Sequence, residues 1–178
     1  MRIIAGQWRG RPLQAPDGAT TRPTADRTRE ALFSMLSSRI GSFDGLAVAD
    51  IFAGTGALGL EALSRGAARA TFVEMDRVAL AALKANIAKL GASADIVAAS
   101  VAALGPARTA HDILFFDPPY GSGGAGALIE RLTRLGWAAE SAWASVETAA
   151  DEAVSAGGWT VEAVRRHGKA QLTLLRRE

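Results

Sequence analysis

Cysteine is absent from the chain, and histidine occurs only as His111 and His167, far apart in sequence. Disulfides, zinc–thiolate sites and a cysteine nucleophile are thereby excluded, and no metal centre is expected. Acidic and basic residues nearly balance, leaving a formal net charge of +2. That balance permits a polyanionic partner without requiring one. No apolar run reaches the length that spans a bilayer, because charges such as Glu61, Arg65 and Arg69 interrupt the stretch 57–72. The opening residues MRIIAGQWRG lack the apolar centre of a signal peptide. Internal repeats and low-complexity linkers are missing too. A soluble, cytoplasmic protein without a membrane partner is the expectation.

What is present suits one well-cored domain: 178 residues, 49% hydrophobic and 21% charged. Residues 2–5 and 11–14 read as a hairpin around Gly6 and Gly10, and Pro16-Asp17-Gly18 as a turn. A helix is predicted at 26–38, with Asp26 as its N-cap and Ala31, Leu32, Met35 and Leu36 on one apolar face. Residues 1–40 form an N-terminal extension on this reading, and 41–178 the domain that carries the chemistry. Strands are predicted at 46–52, 70–74, 94–98, 112–116 and 143–147, with helices at 57–65, 76–90 and 124–135. The ending is an antiparallel pair, 160–166 and 170–176, turning at Gly168-Lys169. Alternating apolar strands and helices predict an α/β fold, a mostly parallel sheet covered on both faces.

Two loops carry chemistry. In Asp50-Ile51-Phe52-Ala53-Gly54-Thr55-Gly56-Ala57-Leu58-Gly59, a strand runs through a glycine turn into a helix. Gly54, Gly56 and Gly59 fit G-x-G-x-x-G, where the backbone must turn sharply and meet a ligand. Glu74 ends the next strand, 20 residues beyond Gly54, and can accept both hydroxyls of a ribose. This pair alone fits a nicotinamide enzyme as well as a methyltransferase. Asp50 favours the second reading. A pyrophosphate gains nothing from an anion there, whereas a methionine-type ligand carries an ammonium and a sulfonium. The chain also offers no separate substrate domain of the kind a dehydrogenase usually needs.

The second loop is Asp117-Pro118-Pro119-Tyr120, following the apolar run Ile113–Phe116. A base amine is a poor nucleophile because its lone pair is delocalised into the ring. Asp117 and the Pro118 carbonyl can accept hydrogen bonds from such an amine and hold its lone pair toward a methyl donor. Pro118 and Pro119 stiffen the backbone. Tyr120 supplies a stacking face. A base within a helix could not enter such a pocket, so the target is flipped out or unpaired.

Together these residues resemble the class I, Rossmann-like methyltransferases. Arg22-Pro23-Thr24-Ala25-Asp26-Arg27-Thr28-Arg29-Glu30-Ala31-Leu32-Phe33, with Met1–Gly6 and Trp8–Arg11, narrows the resemblance to the RsmD family. That family methylates N2 of a guanine in small-subunit (16S) ribosomal RNA. The resemblance implies a seven-stranded sheet, S-adenosylmethionine as cofactor, and 16S ribosomal RNA in an assembling or assembled small subunit as partner. It assigns Asp50, Phe52, Gly54, Thr55, Gly56, Gly59, Glu74, Met75, Ser100 and Val101 to the cofactor and Asp117–Tyr120 to the target amine. Ser100 stands where the family usually carries an Asp on the adenine amine. Weaker adenine discrimination is therefore expected.

Arg9, Arg11, Arg22, Arg27 and Arg29 are expected to grip RNA phosphates, for which guanidinium forks are suited. An alternative turns Thr24 and Arg27 toward the cofactor. Trp8 is read as an anchor for the hairpin, Trp137, Trp143 and Trp159 as packing residues, Glu147 as structural and His111 as a satisfied polar residue. Three other readings remain open on the sequence: an N6-adenine methyltransferase, a nicotinamide enzyme, and a catalytically silent RNA-binding protein.

Overall fold

The computed structural model describes residues 1–16, 23–119 and 124–178. Among these, helices and strands alternate as α1 (Pro23–Ile40), β1 (Ala47–Ile51), α2 (Ala57–Ser64), β2 (Arg69–Glu74), α3 (Arg77–Leu90), β3 (Asp95–Ala98), β4 (His111–Phe116), α4 (Ala125–Arg134), β5 (Ala138–Ala149), β6 (Trp159–His167) and β7 (Ala170–Arg177). The seven strands form one sheet in the order β3-β2-β1-β4-β5-β7-β6. β1 to β5 pair in parallel, and β7 runs antiparallel between β5 and β6. This is the Rossmann-like arrangement expected. After β3 the chain returns to the other side of β1, so a switch point opens between β1 and β4, where ligands gather in such sheets.

The period-two alternation of the strands builds two apolar layers. Val48, Phe72, Ile113 and Phe115 face one side, against Leu32, Phe33 and Leu36 of α1, Leu60 and Leu63 of α2 and Leu83 of α3. Ala49, Val73, Leu114 and Phe116 face the other, against Ile129 and Leu132 of α4. Each fully buried Val, Leu, Ile or Phe among them contributes about 1.5–3 kcal/mol. Local signals set the helix ends. Asp76 caps α3 by accepting the Ala79 N–H at 2.8 Å, and Gly91 closes it with a left-handed φ of 64°.

Two sequence expectations are corrected. Asp26 is not the N-cap of α1, because the helix already begins at Pro23, a residue whose missing N–H suits a first turn. Asp26 instead pairs with Arg29 at 3.1 Å. β5 is much longer than 143–147, starting at Ala138 and reaching Ala149. A register shift between His111 and Ile113 and a positive φ at Ser141 (60°) mark an irregularity that broke the alternation of its first half. The turn expected at Pro16-Asp17-Gly18 lies partly outside the described residues.

The N-terminal hairpin closes through one bridge, Arg2 to Pro12, with Ile3 N–H on the Arg11 carbonyl at 2.9 Å. Too short to stand alone, it is pinned to α2. The wholly buried Glu61 carboxylate accepts the Ile4 N–H at 2.8 Å and the Ala5 N–H at 3.0 Å. It also accepts Arg65 Nε at 2.9 Å and has Arg29 Nε at 3.8 Å. Gly6 (φ +86°) passes so close that a Cβ there would lie 1.8 Å from the Ser64 carbonyl oxygen. Buried Asn86 of α3 holds the far arm: it accepts the Gln14 N–H at 2.7 Å and donates to the Gln14 and Thr55 carbonyls, each at 3.0 Å. The extension thus packs on the same apolar layer as β1 and β4 through Ile3 and Leu13.

Candidate active site

The two loops read from the sequence meet at the switch point. Ile51 and Phe116 are register partners, so the residues after β1 and after β4 leave the sheet side by side. Phe52 takes a positive φ of 70°, rare for an aromatic residue, and begins the glycine turn. Glu74 braces that turn from the end of β2. One carboxylate oxygen accepts the Gly54 N–H at 2.8 Å, and the other accepts the Met75 and Asp76 N–H groups, both at 2.8 Å. Gly59 is required by packing, since a Cβ there would sit 2.4 Å from the Phe72 ring.

Asp50 lies beneath the loop, 1% exposed, and accepts the Gly59 N–H at 2.9 Å. Burial pushes its carboxyl up to about 8; the Gly59 hydrogen bond opposes this, and Asp117 and Glu74 add to it. Ser100 caps the short 3₁₀ turn Val101–Ala103, accepting the Ala103 N–H at 3.2 Å. Val101 is buried among the α4-side apolar residues, while Met75 stands 66% exposed beside Glu74. Thr55 lines a cavity and its hydroxyl reaches Met1 Sδ at 3.5 Å.

Two cavities flank the end of β4, and Phe116 lines both. One, of about 460 Å³, is bounded by Met1, Thr28, Thr55, Asp117, Glu147 and the Gly168-Lys169 turn. The other, of about 380 Å³, includes Phe52, Ala102, Pro118 and Leu128. Asp117 and Pro118 therefore stand as a partition, one facing each side. Asp117 lines the first cavity and keeps part of its surface exposed. Partial desolvation by the surrounding protein, with Glu147 nearby, raises its carboxyl to about 7. Pro119 is exposed just beyond. Tyr120 lies outside the described residues.

Glu147, read from the sequence as structural, lines the same cavity as Asp117. The residue pair Phe116–Val146 is in register, so Glu147, still within β5, stands beside Asp117, the first residue after β4. Ser145 and Thr28 line the same cavity. The signal for Glu147 was its place near the carboxyl end of a strand adjoining that of Asp117, which required the strand order to interpret.

The arginines separate. Arg9, Arg11 and Arg27 are exposed, and Arg9 and Arg27 line a surface cavity with Arg2, Asp26 and Glu30. Arg29 is corrected: only 4% exposed, it binds Asp26, Glu61 and the Arg2 carbonyl and is not a surface phosphate grip. Burial lowers its pKa, while Asp26 and Glu61 oppose that shift. Arg22 and the Thr24 side chain lie outside the described residues. Trp8 packs against the core, its N–H on Ser64 Oγ at 3.0 Å. Trp137 and Trp159 belong to the core, with Trp143 half-buried in the sheet. His111 bonds the Trp137 carbonyl through Nδ1 and Thr71 Oγ1 through Nε2, both at 3.0 Å. A carbonyl can only accept, so Nδ1 carries the proton and Nε2 accepts from Thr71. Among the described residues no helix is long and apolar enough to cross a membrane.

Comparison with known proteins agrees with this architecture. The model of the family described as Conserved hypothetical protein 95 matches residues 1–176. Ribosomal RNA small subunit methyltransferase D of Escherichia coli K12 is 40% identical over 182 positions, covering 100% of this chain and 90% of that protein. The protein of the same name from Haemophilus influenzae is 38% identical over 168 positions, covering 90% of this chain and 86% of its own. The solved structure of the putative methyltransferase yhhF from Escherichia coli matches with a TM-score of 0.88 and 41% identity, covering 100% of this chain and 98% of that one. The chain therefore belongs to the family Conserved hypothetical protein 95, alongside the small-subunit ribosomal RNA methyltransferases D whose motifs its sequence resembles.

Proposed function

We propose that this protein transfers a methyl group from S-adenosylmethionine to the exocyclic N2 amine of a guanine in small-subunit ribosomal RNA, acting on an assembling or assembled subunit in the bacterial cytoplasm. One observation carries the reading: Asp117 opens into a cavity at the switch point, directly beside the glycine turn. The names of the relatives support the substrate class.

The residues present fit the cofactor. Glu74 is fixed by three backbone N–H groups at the end of β2, where a ribose would meet it. Exposed Met75 and the cavity formed by Phe52, Ala102, Pro118 and Leu128 offer apolar surface for an adenine. Ser100 can add a hydrogen bond there, and Asp50 supports the turn from below. When bound, S-adenosylmethionine supplies an activated methyl group. The protein's part is positioning. Asp117, ionised, accepts a hydrogen bond from the target amine, and the Pro118 carbonyl accepts another. The lone pair is thus held out of the ring plane and toward the methyl donor. Pro118 and Pro119 hold these acceptors in place before the substrate arrives. Arg9, Arg11 and Arg27 grip phosphates on the flank, and residues 1–40 serve as the RNA-binding extension.

The test is mass spectrometry on undermethylated small subunits incubated with protein and cofactor. Methylated guanine N2 is expected, and Asp117→Ala should abolish it while leaving RNA affinity largely intact. Methylated adenine with unmodified guanine would overturn the substrate, and unchanged turnover by Asp117→Ala would remove Asp117 from the mechanism.

A further inference from the structure

We infer that Glu147 is the residue that selects guanine, accepting the N1–H of the target base while Asp117 accepts from its N2 amine. This rests on the proposed methylation of guanine N2.

A guanine edge presents two neighbouring donors, N1–H and the N2 amine. Adenine presents an acceptor at N1 beside its own amine. A site that tests for guanine needs two acceptors side by side, and two carboxylates meet that need. The sheet supplies them. Phe116 and Val146 are register partners on adjacent parallel strands, so Asp117 and Glu147 follow at neighbouring positions. Both line the same cavity, with Ser145 beside them. β7 fixes Glu147 from the other side through its pairing with Leu172. The two carboxylates are close enough to act on each other: Glu147, after burial, helps to hold the Asp117 carboxyl near 7. Their mutual repulsion is relieved when a base bearing two donors lies between them. An N1 lone pair would instead face an anion, which rejects a base with adenine's edge.

The arrangement separates the roles of the two acids. Asp117 borders the partition to the second cavity, where the methyl donor would reach it, and Glu147 does not line that second cavity. Glu147 is thus a specificity residue acting on the ring, one atom away from the reacting nitrogen.

The experiment uses the full-length protein and small subunits reassembled around RNA that carries, at the guanosine mapped by the mass-spectrometric assay, either guanosine or 2-aminopurine riboside. 2-Aminopurine keeps the amine but has a bare N1. The wild type is expected to prefer guanine by about tenfold or more in kcat/KM, the discrimination typical of one good base-edge pair. Glu147→Gln should collapse that preference, because an amide can accept from N1–H or donate to N1. A variant damaged only in structure would lose rate on both substrates and keep their ratio. Equal wild-type rates on the two substrates would overturn the inference whether or not the variant folds. So would an unchanged ratio in a Glu147→Gln protein that retains S-adenosylhomocysteine binding by calorimetry. Absence of wild-type methylation on guanine itself would instead sink the proposed function, a distinguishable failure.

Discussion

Replacing Glu61 with alanine should be among the most destabilising substitutions in this chain. The side chain is wholly buried, and four groups converge on it: the Ile4 and Ala5 N–H groups, Arg65 and Arg29. Truncation leaves Arg29 buried with Asp26 as its remaining carboxylate and strips two backbone donors of their acceptor. Breaking a buried pair by removing one partner costs about 3–5 kcal/mol. For a chain of this length each kcal/mol lowers Tm by about 2–4 °C, so a fall of about 6–20 °C is expected. Glu61→Gln retains one acceptor oxygen but no charge and should fall between the two. Thermal unfolding followed by circular dichroism gives the number, and limited proteolysis should show earlier cleavage within residues 1–16. A Glu61→Ala protein within about 1 kcal/mol of wild type would refute the reasoning, because it would mean that the hairpin's donors and Arg29 find equal partners elsewhere.

Asp50 holds its proton in the folded state up to about pH 8, against 3.8 for the reference carboxyl. Between those values the unfolded chain is ionised and the folded one is not, so this group lowers stability as pH rises, by about 1.4 kcal/mol per unit. Asp50→Asn, which can still accept the Gly59 N–H, should flatten that slope in denaturant titrations from pH 5 to 8; an unchanged slope would count against it. Asp117 must be ionised to act purely as an acceptor, so kcat/KM should rise as pH passes through about 7; a profile flat from pH 5 to 9 would argue against this role. Arg9→Ala and Arg11→Ala should each weaken RNA binding and lower the slope of log affinity against log salt by somewhat under one for each phosphate no longer neutralised. Filter-binding at several salt concentrations checks this, and an unaltered slope would remove these arginines from the phosphate interface.

The sequence made some of this legible and hid the rest for physical reasons. Gly54, Gly56, Gly59 and Glu74 could be read because turn, helix and distal acid obey local rules. The strands around them announced themselves through apolar runs. β5 was half-hidden because its irregular first half, Ala138–Ala142, lacks alternation. Arg29 looked like its exposed neighbours, since nothing local reveals a carboxylate 32 residues away on another helix. Glu147 had the same difficulty: its relation to Asp117 exists only in the register of two strands.

The pinning of the hairpin also has a consequence for how the chain acquires its shape. Met1–Pro16 is made before its anchors, Glu61, Ser64 and Asn86, whose bonds to it span 56 to 72 residues of chain. This segment must wait for those partners until α2 and α3 exist. Such distant closures slow folding. The extension should therefore be the last piece to acquire protection from hydrogen exchange, and Met1 and Thr55 would meet at the cavity only at that final step.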